Sequence, residues 1–287
     1  VAETGSALPE PVSTANVYGT VRSYRVASLP PILQEYYHQI PARRWHPATG
    51  QWSDDAVQYD LDRMLAWKRD KSDVLPRTFF ERPLLEHNGE LLYADYRVRY
   101  ALDGGIVPPK GASHLMVSTD NGHAFQRRST IAADPSGRDL YGEPQLAPTA
   151  DGRLVCIIRK TDQDQKPMAI TWSSDAGHTW SPPHELFGFG VWPCVLLLGC
   201  GTLVLSYGRP GVHIRLDGNG TGEQWSEPIA LIEGTHEKVQ RHSCGYTSLF
   251  PLDDHSFLIA YSDFLHCDAD GNQRKAILVR RGNLTEQ

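Results

Sequence analysis

Two short stretches of the chain share one turn-forming pattern: Ser-x-Asp-x-Gly, then one residue, then Ala or Thr and an aromatic. They begin at Ser118 and Ser173, 55 residues apart, and end at Phe125 and Trp180. In such a pattern Asp accepts hydrogen bonds from the amides of a tight turn, Gly supplies a positive φ, and the aromatic ring packs beneath the turn. Two copies at this spacing among short strands predict a repeated sheet unit, and therefore a β-propeller.

The repeat extends beyond these turns. Each unit has an apolar strand, a turn and a second apolar strand, and the turns are centred on Gly89, Gly152, Gly201 and, in the last unit, His255. A third, degenerate copy of the turn pattern occupies residues 217–226 and keeps a Trp-Ser-x-Pro ending. The sequence therefore predicts four successive blades in the C-terminal part of the chain.

We predict an all-β protein in which residues 1–287 form a single β-propeller domain of five or six blades, six being the expected number. Residues 79–287 hold the four recognisable blades, and residues 1–78 are expected to form a degenerate blade or closing strands. Within that N-terminal part, the segment from Ser53 to Lys71 has apolar residues at helical spacing after a Ser-Asp-Asp cap. This pattern predicts a helical insertion near the N-terminus.

The composition excludes some functions. The chain has 28 basic and 34 acidic residues, a formal charge of −6, which argues against general binding to nucleic acids or membrane surfaces. It has no apolar run long enough to span a membrane. Among its five cysteines, Cys156, Cys194 and Cys200 lie in apolar strand patterns and are expected to be buried free thiols. Without a paired C-x-x-C spacing, we expect no bound metal. The oligomeric state and the cellular location stay open, with a secreted or periplasmic protein favoured.

Polar and aromatic residues recur where the predicted strands should open at one mouth. In antiparallel strands, the start of the first strand and the end of the second lie at the same edge. The residues at these positions are Arg82 (or Glu81), Arg97, Arg99, Glu143, Arg159, Trp192, Arg209, Tyr246 and Asp263, with Asp103 in the loop after the first blade's second strand. Such convergence from separate blades predicts a functional site.

These motifs resemble the sialidase (neuraminidase) family, across about residues 79–287. The turn pattern is similar to the family's Asp-box, which indicates only the fold. More specific matches are Phe80-Glu-Arg82-Pro for the family's Arg-Ile-Pro motif without its Ile, Asp103 before the first box, Glu143 followed by Arg159, then Arg209, and finally Trp225-Ser-Glu-Pro leading to Gly245-Tyr246.

The resemblance implies a retaining hydrolysis of terminal sialic acid without a cofactor. Tyr246 would be the nucleophile, since a neutral phenol avoids the repulsion between a carboxylate and an anionic sugar, and Glu143 would be its base. Asp103 would be the acid and base at the leaving oxygen. The substrate carboxylate would bind a cluster of arginines, Arg82, Arg159 and Arg209. If the Arg-Ile-Pro match fails, Arg44 or Arg97 would replace Arg82.

Two further residues and two alternative functions complete the predictions. Trp192 is a candidate for stacking on a sugar ring, and His242 for a substrate contact near Tyr246. In one alternative, the protein is a lyase or an unusual glycosidase for uronic-acid glycans, in which Tyr246 or His242 removes a C5 proton. In the other, it is a non-catalytic glycan- or protein-binding propeller, and Glu143 and Tyr246 would then lie beyond hydrogen-bonding distance. In every enzymatic reading the partner is an anionic glycan.

Overall fold

The computed structural model describes residues 8–16, 19–72, 74–78, 80–160, 165–235 and 241–285. The chain divides into two compact units, residues 1–141 and 142–287. Within the described ranges, the structure is almost entirely β, with five sheets and one α-helix. No helix in these ranges is long and apolar enough to cross a membrane. The predicted all-β class is confirmed, whereas a single domain over the whole chain stays a prediction.

The described residues of the first unit form two sheets. The first sheet has the strand order β1-β2-β5-β8, and the second has the order β3-β4-β10-β9-β7-β6, with β4 and β10 paired in parallel. Its elements are β1 (Ser13–Asn16), β2 (Thr20–Arg25), α1 (Pro31–His38), β3 (Gln39–His46), β4 (Gln51–Tyr59), β5 (Met64–Arg69), β6 (Leu85–His87), β7 (Glu90–Asp95), β8 (Arg99–Tyr100), β9 (Ser113–Ser118) and β10 (Ala124–Ala132). Its core is rich in tyrosine and includes Tyr37, Tyr59 and Tyr100.

In the second unit, the residues that the structure describes form three antiparallel meanders. Two have four strands and the last has three, each in sequence order. The strands are β11 (Gly142–Pro148), β12 (Leu154–Arg159), β13 (Pro167–Ser173), β14 (His184–Phe189), β15 (Val191–Leu197), β16 (Leu203–Gly208), β17 (Val212–Asp217), β18 (Ile229–Ile232), β19 (Thr247–Asp253), β20 (Ser256–Cys267) and β21 (Gln273–Asn283). The predicted turns at Gly152, Gly201 and His255 each join the first and second strands of a meander.

Two apolar cores hold these three sheets together. One joins the β11–β14 sheet to the β15–β18 sheet and contains Ile157 and Leu205. The other joins the β15–β18 sheet to the β19–β21 sheet and contains Val204 and Ile259. Because each sheet packs its face on the next, the first strands β11, β15 and β19 lie side by side. This arrangement brings the starts of three strands, far apart in sequence, to one place.

The two Ser-x-Asp-x-Gly turns make the same hydrogen bonds. In each, the Ser hydroxyl donates to the Asp carboxylate and accepts from the Gly amide, at 2.7 and 2.8 Å for Ser118 and at 2.8 Å for both bonds of Ser173. The Asp carboxylates also accept amides from the residues that follow. The amide of Ala124 holds the pKa of Asp120 below its ordinary value, and the hydroxyl and amide of Thr179 do the same for Asp175.

The degenerate third turn keeps this chemistry without its Ser. Asp217 is fully buried and accepts the amides of Asn219, Thr221 and Gly222 at 3.0, 3.1 and 2.6 Å. Trp225 donates from its indole to the Gly222 carbonyl at 2.9 Å. The turn between β17 and β18 is therefore organised by one carboxylate.

We expect Asp217→Ala to lower the free energy of unfolding by about 3 kcal/mol, because it leaves buried amides without an acceptor. Thermal and urea unfolding of the whole chain measure the loss. The matched control is Asp270→Ala, the same change at an exposed turn residue. Equal stability of the two variants would contradict this account of the turn.

The predicted helix from Ser53 to Lys71 is wrong. The segment forms β4 and β5 instead, and the α-helix near the N-terminus is α1, Pro31–His38. In β4, Val57 and Tyr59 are buried at a two-residue interval, and in β5, Met64, Leu65 and Ala66 are all buried because this strand lies inside its sheet. A buried strand following an alternating one imitates helical spacing.

The expectation for the cysteines is correct for two residues and wrong for one. Cys156 and Cys194 are buried free thiols, whereas Cys200 is exposed. Cys200 belongs to the turn between β15 and β16, where its amide donates to the Asp254 carbonyl at 3.0 Å. Its apolar neighbours in sequence belong to the strands on either side, so the apolar pattern did not extend to the turn itself.

Candidate active site

The second unit brings five of the eight predicted site residues together. Glu143 is the second residue of β11, and Trp192 is the second residue of β15. Arg159 ends β12, Arg209 follows the end of β16, and Tyr246 immediately precedes β19. Since Gly142 pairs with Arg159 and Val191 with Gly208, each first-strand start lies beside a second-strand end. The structure therefore gathers these side chains at one edge of three adjacent sheets.

The Glu143 carboxylate is the centre of this cluster. Its Oε1 atom accepts from the Tyr246 hydroxyl at 3.3 Å and from Nη1 of Arg159 at 2.5 Å. Its Oε2 atom accepts from the backbone amide of Trp192 at 3.0 Å. The side chains of Glu143 and Arg159 are only 8% and 12% exposed, so this is an ion pair largely shielded from water. A phenol within reach of a buried carboxylate can transfer its proton to it.

The Tyr246 ring lies between polar and apolar neighbours. It stacks on the Trp192 indole with the ring centroids 4.5 Å apart and the planes 14° apart. The Arg209 guanidinium carbon is 5.3 Å from the Tyr246 centroid, a cation–π distance. The tyrosine is 38% exposed, so part of the residue is accessible to a ligand.

The surroundings raise the pKa of Tyr246 above the ordinary value for a phenol. The largest cause is partial burial, and the second is the negative charge of Glu143, while Arg209 and Arg159 oppose the rise. A tyrosine with a raised pKa is uncharged at neutral pH. It can therefore act as a nucleophile only if a base takes its proton as the new bond forms.

The backbone of the site is strained at three residues. The φ values are positive, 49° for Glu143, 51° for Trp192 and 58° for Arg209, and residues other than glycine rarely adopt them. The β11–β12 and β15–β16 ladders are interrupted beside Glu143 and Trp192. Such bulges redirect a side chain out of the regular strand alternation, and they are common beside active sites.

A close approach of two glycines places Tyr246 against β16. A Cβ on Gly208 would overlap the backbone of Gly245, so the two segments can meet only if residue 208 is glycine. The Ser206 and Thr247 hydroxyls are also 2.8 Å apart across the two strands. Before Tyr246, the Arg209 side chain donates from Nε to the Cys244 carbonyl at 2.9 Å. The segment that carries the tyrosine is thus fixed on both sides.

His242 is held by the loop rather than by the cluster. Its Nδ1 atom is 2.8 Å from the Glu233 carbonyl oxygen, in the loop that precedes β19. The part of the chain that the structure describes contains no group of three or more His, Cys, Asp and Glu residues able to hold a metal ion.

Asp103 and Arg82 belong to the first unit. Asp103 begins a short 3₁₀ turn, its side chain is 97% exposed, and it accepts from Nη1 of Arg63 at 2.6 Å. Arg82 is half-buried ahead of β6, and its charge works against the rise in the pKa of Tyr93. The acid/base role of Asp103 and the carboxylate-binding role of Arg82 stay predictions.

The alternatives to Arg82 also have carboxylate partners in the first unit. Arg44 donates from Nε to Asp55 at 2.8 Å, and Arg97 forms an ion pair with Glu81. Tyr96 donates its hydroxyl to the same Glu81 at 3.0 Å. Each of these arginines thus has a structural contact of its own.

Sequence reasoning missed two features of the cluster: the Trp192 amide bond to Glu143 and the stacking of Trp192 on Tyr246. Both involve a residue with a positive φ, and a tryptophan in a sequence gives no indication of a positive φ. The only available signal was the position of Trp192 at a first-strand start, equivalent to that of Glu143 in the preceding sheet.

Comparison with known proteins identifies the fold. No family model matches the sequence, and no curated protein matches it. A protein of unknown function from Dyadobacter fermentans is similar in structure, with a TM-score of 0.55 and 16% identity over 92% of this chain and 72% of that one. The α-L-arabinanase of Penicillium chrysogenum, solved with arabinobiose, has a TM-score of 0.55 and 15% identity over 91% of this chain and 70% of its own.

A sialidase is also among the similar structures, at a lower score. It is the Hadza microbial sialidase Hz136, with a TM-score of 0.49 and 18% identity over 77% of this chain. The chain spans less than half of that protein, 43% of its length. The likeness to the arabinanase gives this chain the fold of β-propeller glycosidases.

Proposed function

We propose that the protein is a retaining glycoside hydrolase of the sialidase type, with Tyr246 as the nucleophile and Glu143 as its base. The observation that carries the proposal is the 3.3 Å hydrogen bond between the Tyr246 hydroxyl and Glu143, two residues 103 positions apart in sequence. A non-catalytic propeller has no need of this pair, and we expected the two residues to be separated in such a protein.

The reaction proceeds in two steps. In the first, Glu143 takes the phenolic proton while the Tyr246 oxygen forms a bond to the anomeric carbon, and the bond from that carbon to the leaving oxygen breaks. A general acid gives its proton to the leaving oxygen, the role that the sequence resemblance implies for Asp103. In the second, the same acid group, now a base, takes a proton from water, the water oxygen attacks the anomeric carbon, and Tyr246 leaves and recovers its proton from Glu143. Two inversions give retention.

The substrate is an anionic sugar, with sialic acid as the leading candidate. Arg159 bonds Glu143 and Arg209 lies near the Tyr246 ring, so positive charge stands next to both members of the pair, which suits a carboxylate on the anomeric carbon. A neutral tyrosine is also the nucleophile that such a carboxylate repels least. The carboxylate-binding role of Arg82 stays what the sequence resemblance implies. Neither a metal nor an organic cofactor takes part.

We place the chain in the Asp-box group of propellers. The shared hydrogen bonds of the Ser118 and Ser173 turns support this, as does the same carboxylate chemistry at Asp217. The five sheets of the described ranges agree with a propeller of five or six blades.

A second candidate is the hydrolysis of a glycan that contains arabinose. The observation in its favour is the similarity of the whole fold to an arabinanase. That substrate has no carboxylate, so Arg159 and Arg209 would serve only to hold Glu143 and Tyr246 in place. The lyase alternative shares the anionic substrate of the first candidate. A lyase for uronic-acid glycans would use Tyr246 to remove the C5 proton next to a carboxylate.

One panel of assays separates these functions. The protein is incubated with an aryl sialoside, arabino-oligosaccharides and mixed uronic-acid glycans, and we expect release of the aryl group from the sialoside alone. Unsaturated uronate, detected by its absorbance, would indicate the lyase, and arabinose would indicate the second candidate. If none of the three substrates gives a product and the protein binds immobilised glycans, an enzymatic function would be contradicted.

A further inference from the structure

We propose that Trp192 is a positioning residue that holds Glu143 and Tyr246 against each other, rather than a platform for the substrate sugar. This inference rests on the proposed function, because it concerns the same pair of residues. Trp192 contacts both members through different groups: its backbone amide donates to Glu143, and its indole stacks on Tyr246.

The amide contact fixes the base. Of the two oxygens of Glu143, Oε1 accepts from Tyr246 and Arg159, while Oε2 accepts from the Trp192 amide. With both oxygens bound, the carboxylate plane cannot rotate without losing a hydrogen bond. The amide can point at Glu143 because Trp192 has a φ of 51° where the β15–β16 ladder is interrupted. A regular strand would direct this amide into its own sheet.

The ring contact fixes the nucleophile. The nearly parallel rings, 4.5 Å apart, limit rotation of the Tyr246 side chain, and the phenolic oxygen stays within 3.3 Å of Glu143. A tyrosine that is 38% exposed needs such a support to hold a fixed rotamer. The indole face that meets Tyr246 is covered by it, so that face cannot also stack on a sugar.

Two functions of Trp192 can be separated kinetically. Loss of a positioning residue lowers kcat with little change in KM, because the reacting atoms are misplaced while substrate contacts remain. Loss of a sugar platform raises KM instead. We expect Trp192→Leu, which keeps the backbone amide but removes the ring, to lower kcat about 10²-fold. Trp192→Phe, which keeps a planar ring, is expected to recover most of that loss. A rise in KM alone would overturn the proposal.

A second measurement needs no substrate and so does not depend on the proposed function. The ionisation of Tyr246 is followed by tyrosinate absorbance, as the difference between each protein and the same protein carrying Tyr246→Phe. The charged groups facing this phenol are Glu143 from β11, Arg159 from β12 and Arg209 after β16. None of them changes in Trp192→Leu.

The expected result is a pKa of Tyr246 that falls towards the ordinary value in Trp192→Leu and stays near the native value in Trp192→Phe. The reason is that the indole supplies part of the burial that raises this pKa. The matched control is Trp45→Leu, the same change at an exposed tryptophan of the β3–β4 hairpin, which should leave the titration unchanged. A Tyr246 titration that is identical in native protein and Trp192→Leu would overturn the proposal even if no substrate is found.

Discussion

Replacing Tyr246 with Phe is expected to lower kcat for the aryl sialoside by about 10⁴-fold or more, which is the scale of removing a covalent nucleophile. The variant loses one hydroxyl and keeps the ring that stacks on Trp192 and lies near Arg209. Binding of a substrate carboxylate to the arginines should therefore survive, and KM should change much less than kcat. Steady-state kinetics at saturating substrate measure both quantities.

The control for this variant is Tyr36→Phe. It deletes the same hydroxyl from a half-buried tyrosine of α1 that donates to the Leu75 carbonyl at 3.1 Å. Full activity in the control and loss in Tyr246→Phe would assign the effect to the phenol itself. A covalent glycosyl group found by mass spectrometry on the peptide containing Tyr246 would identify the nucleophile directly. If Tyr246→Phe kept native kcat, the proposed mechanism would be wrong.

The turns were the most predictable part of this fold. A Gly at the centre of a tight turn, or a Ser-x-Asp-x-Gly pattern, is a local signal that needs no knowledge of distant residues. The turns at Gly152 and Gly201 and the hydrogen bonds of Ser118 and Ser173 could be predicted for this reason. In the degenerate third turn, the Asp217 carboxylate still accepts backbone amides although the rest of the Ser-x-Asp-x-Gly pattern is missing.

The N-terminal sheets were not predictable in the same way. Residues 53–71 have a spacing that suits a helix as well as two strands, and long-range pairing decides between them. β4 pairs with β3 on one side and with the distant β10 on the other, and β5 pairs with β2 and β8. The pattern within a short window cannot show that β4 pairs with β10, 66 residues further along the chain, so tertiary contacts prevailed over the local pattern.

The candidate site was partly visible because strand alternation is regular. Counting from each turn to the ends of its strands selects Glu143, Arg159 and Tyr246, and the structure brings these three together. The sequence could not give the orientation of Trp192, since a positive φ at a non-glycine residue arises from the packed sheet and not from the residue. The structure shows its ring in contact with Tyr246, and its contact with a sugar stays a prediction.

Replacing Glu143 with Gln is expected to lower activity about 10³-fold at neutral pH and to make the remaining activity rise as the pH becomes alkaline. The first effect is the loss of a general base. The second follows from charge: the carboxylate raises the pKa of Tyr246, so its removal lowers that pKa. The variant should then gain activity as the pH becomes alkaline, because Tyr246 ionises by itself and no longer needs a base. An aryl sialoside is the right substrate, since its phenolate leaves without the acid that Asp103 would supply.

Kinetics across pH and the tyrosinate titration of the same variant test this together. The midpoint of the alkaline rise in kcat should coincide with the Tyr246 pKa measured by absorbance, and both should lie below the native Tyr246 pKa. Glu227→Gln, the same loss of charge at an exposed residue, should leave both curves as in the native protein. A Glu143→Gln variant that is folded, has a lowered Tyr246 pKa and stays inactive at every pH would show that tyrosinate is not the nucleophile. Glu143 would then act on the substrate itself, as a carboxylate does in glycosidases that attack through an acid side chain.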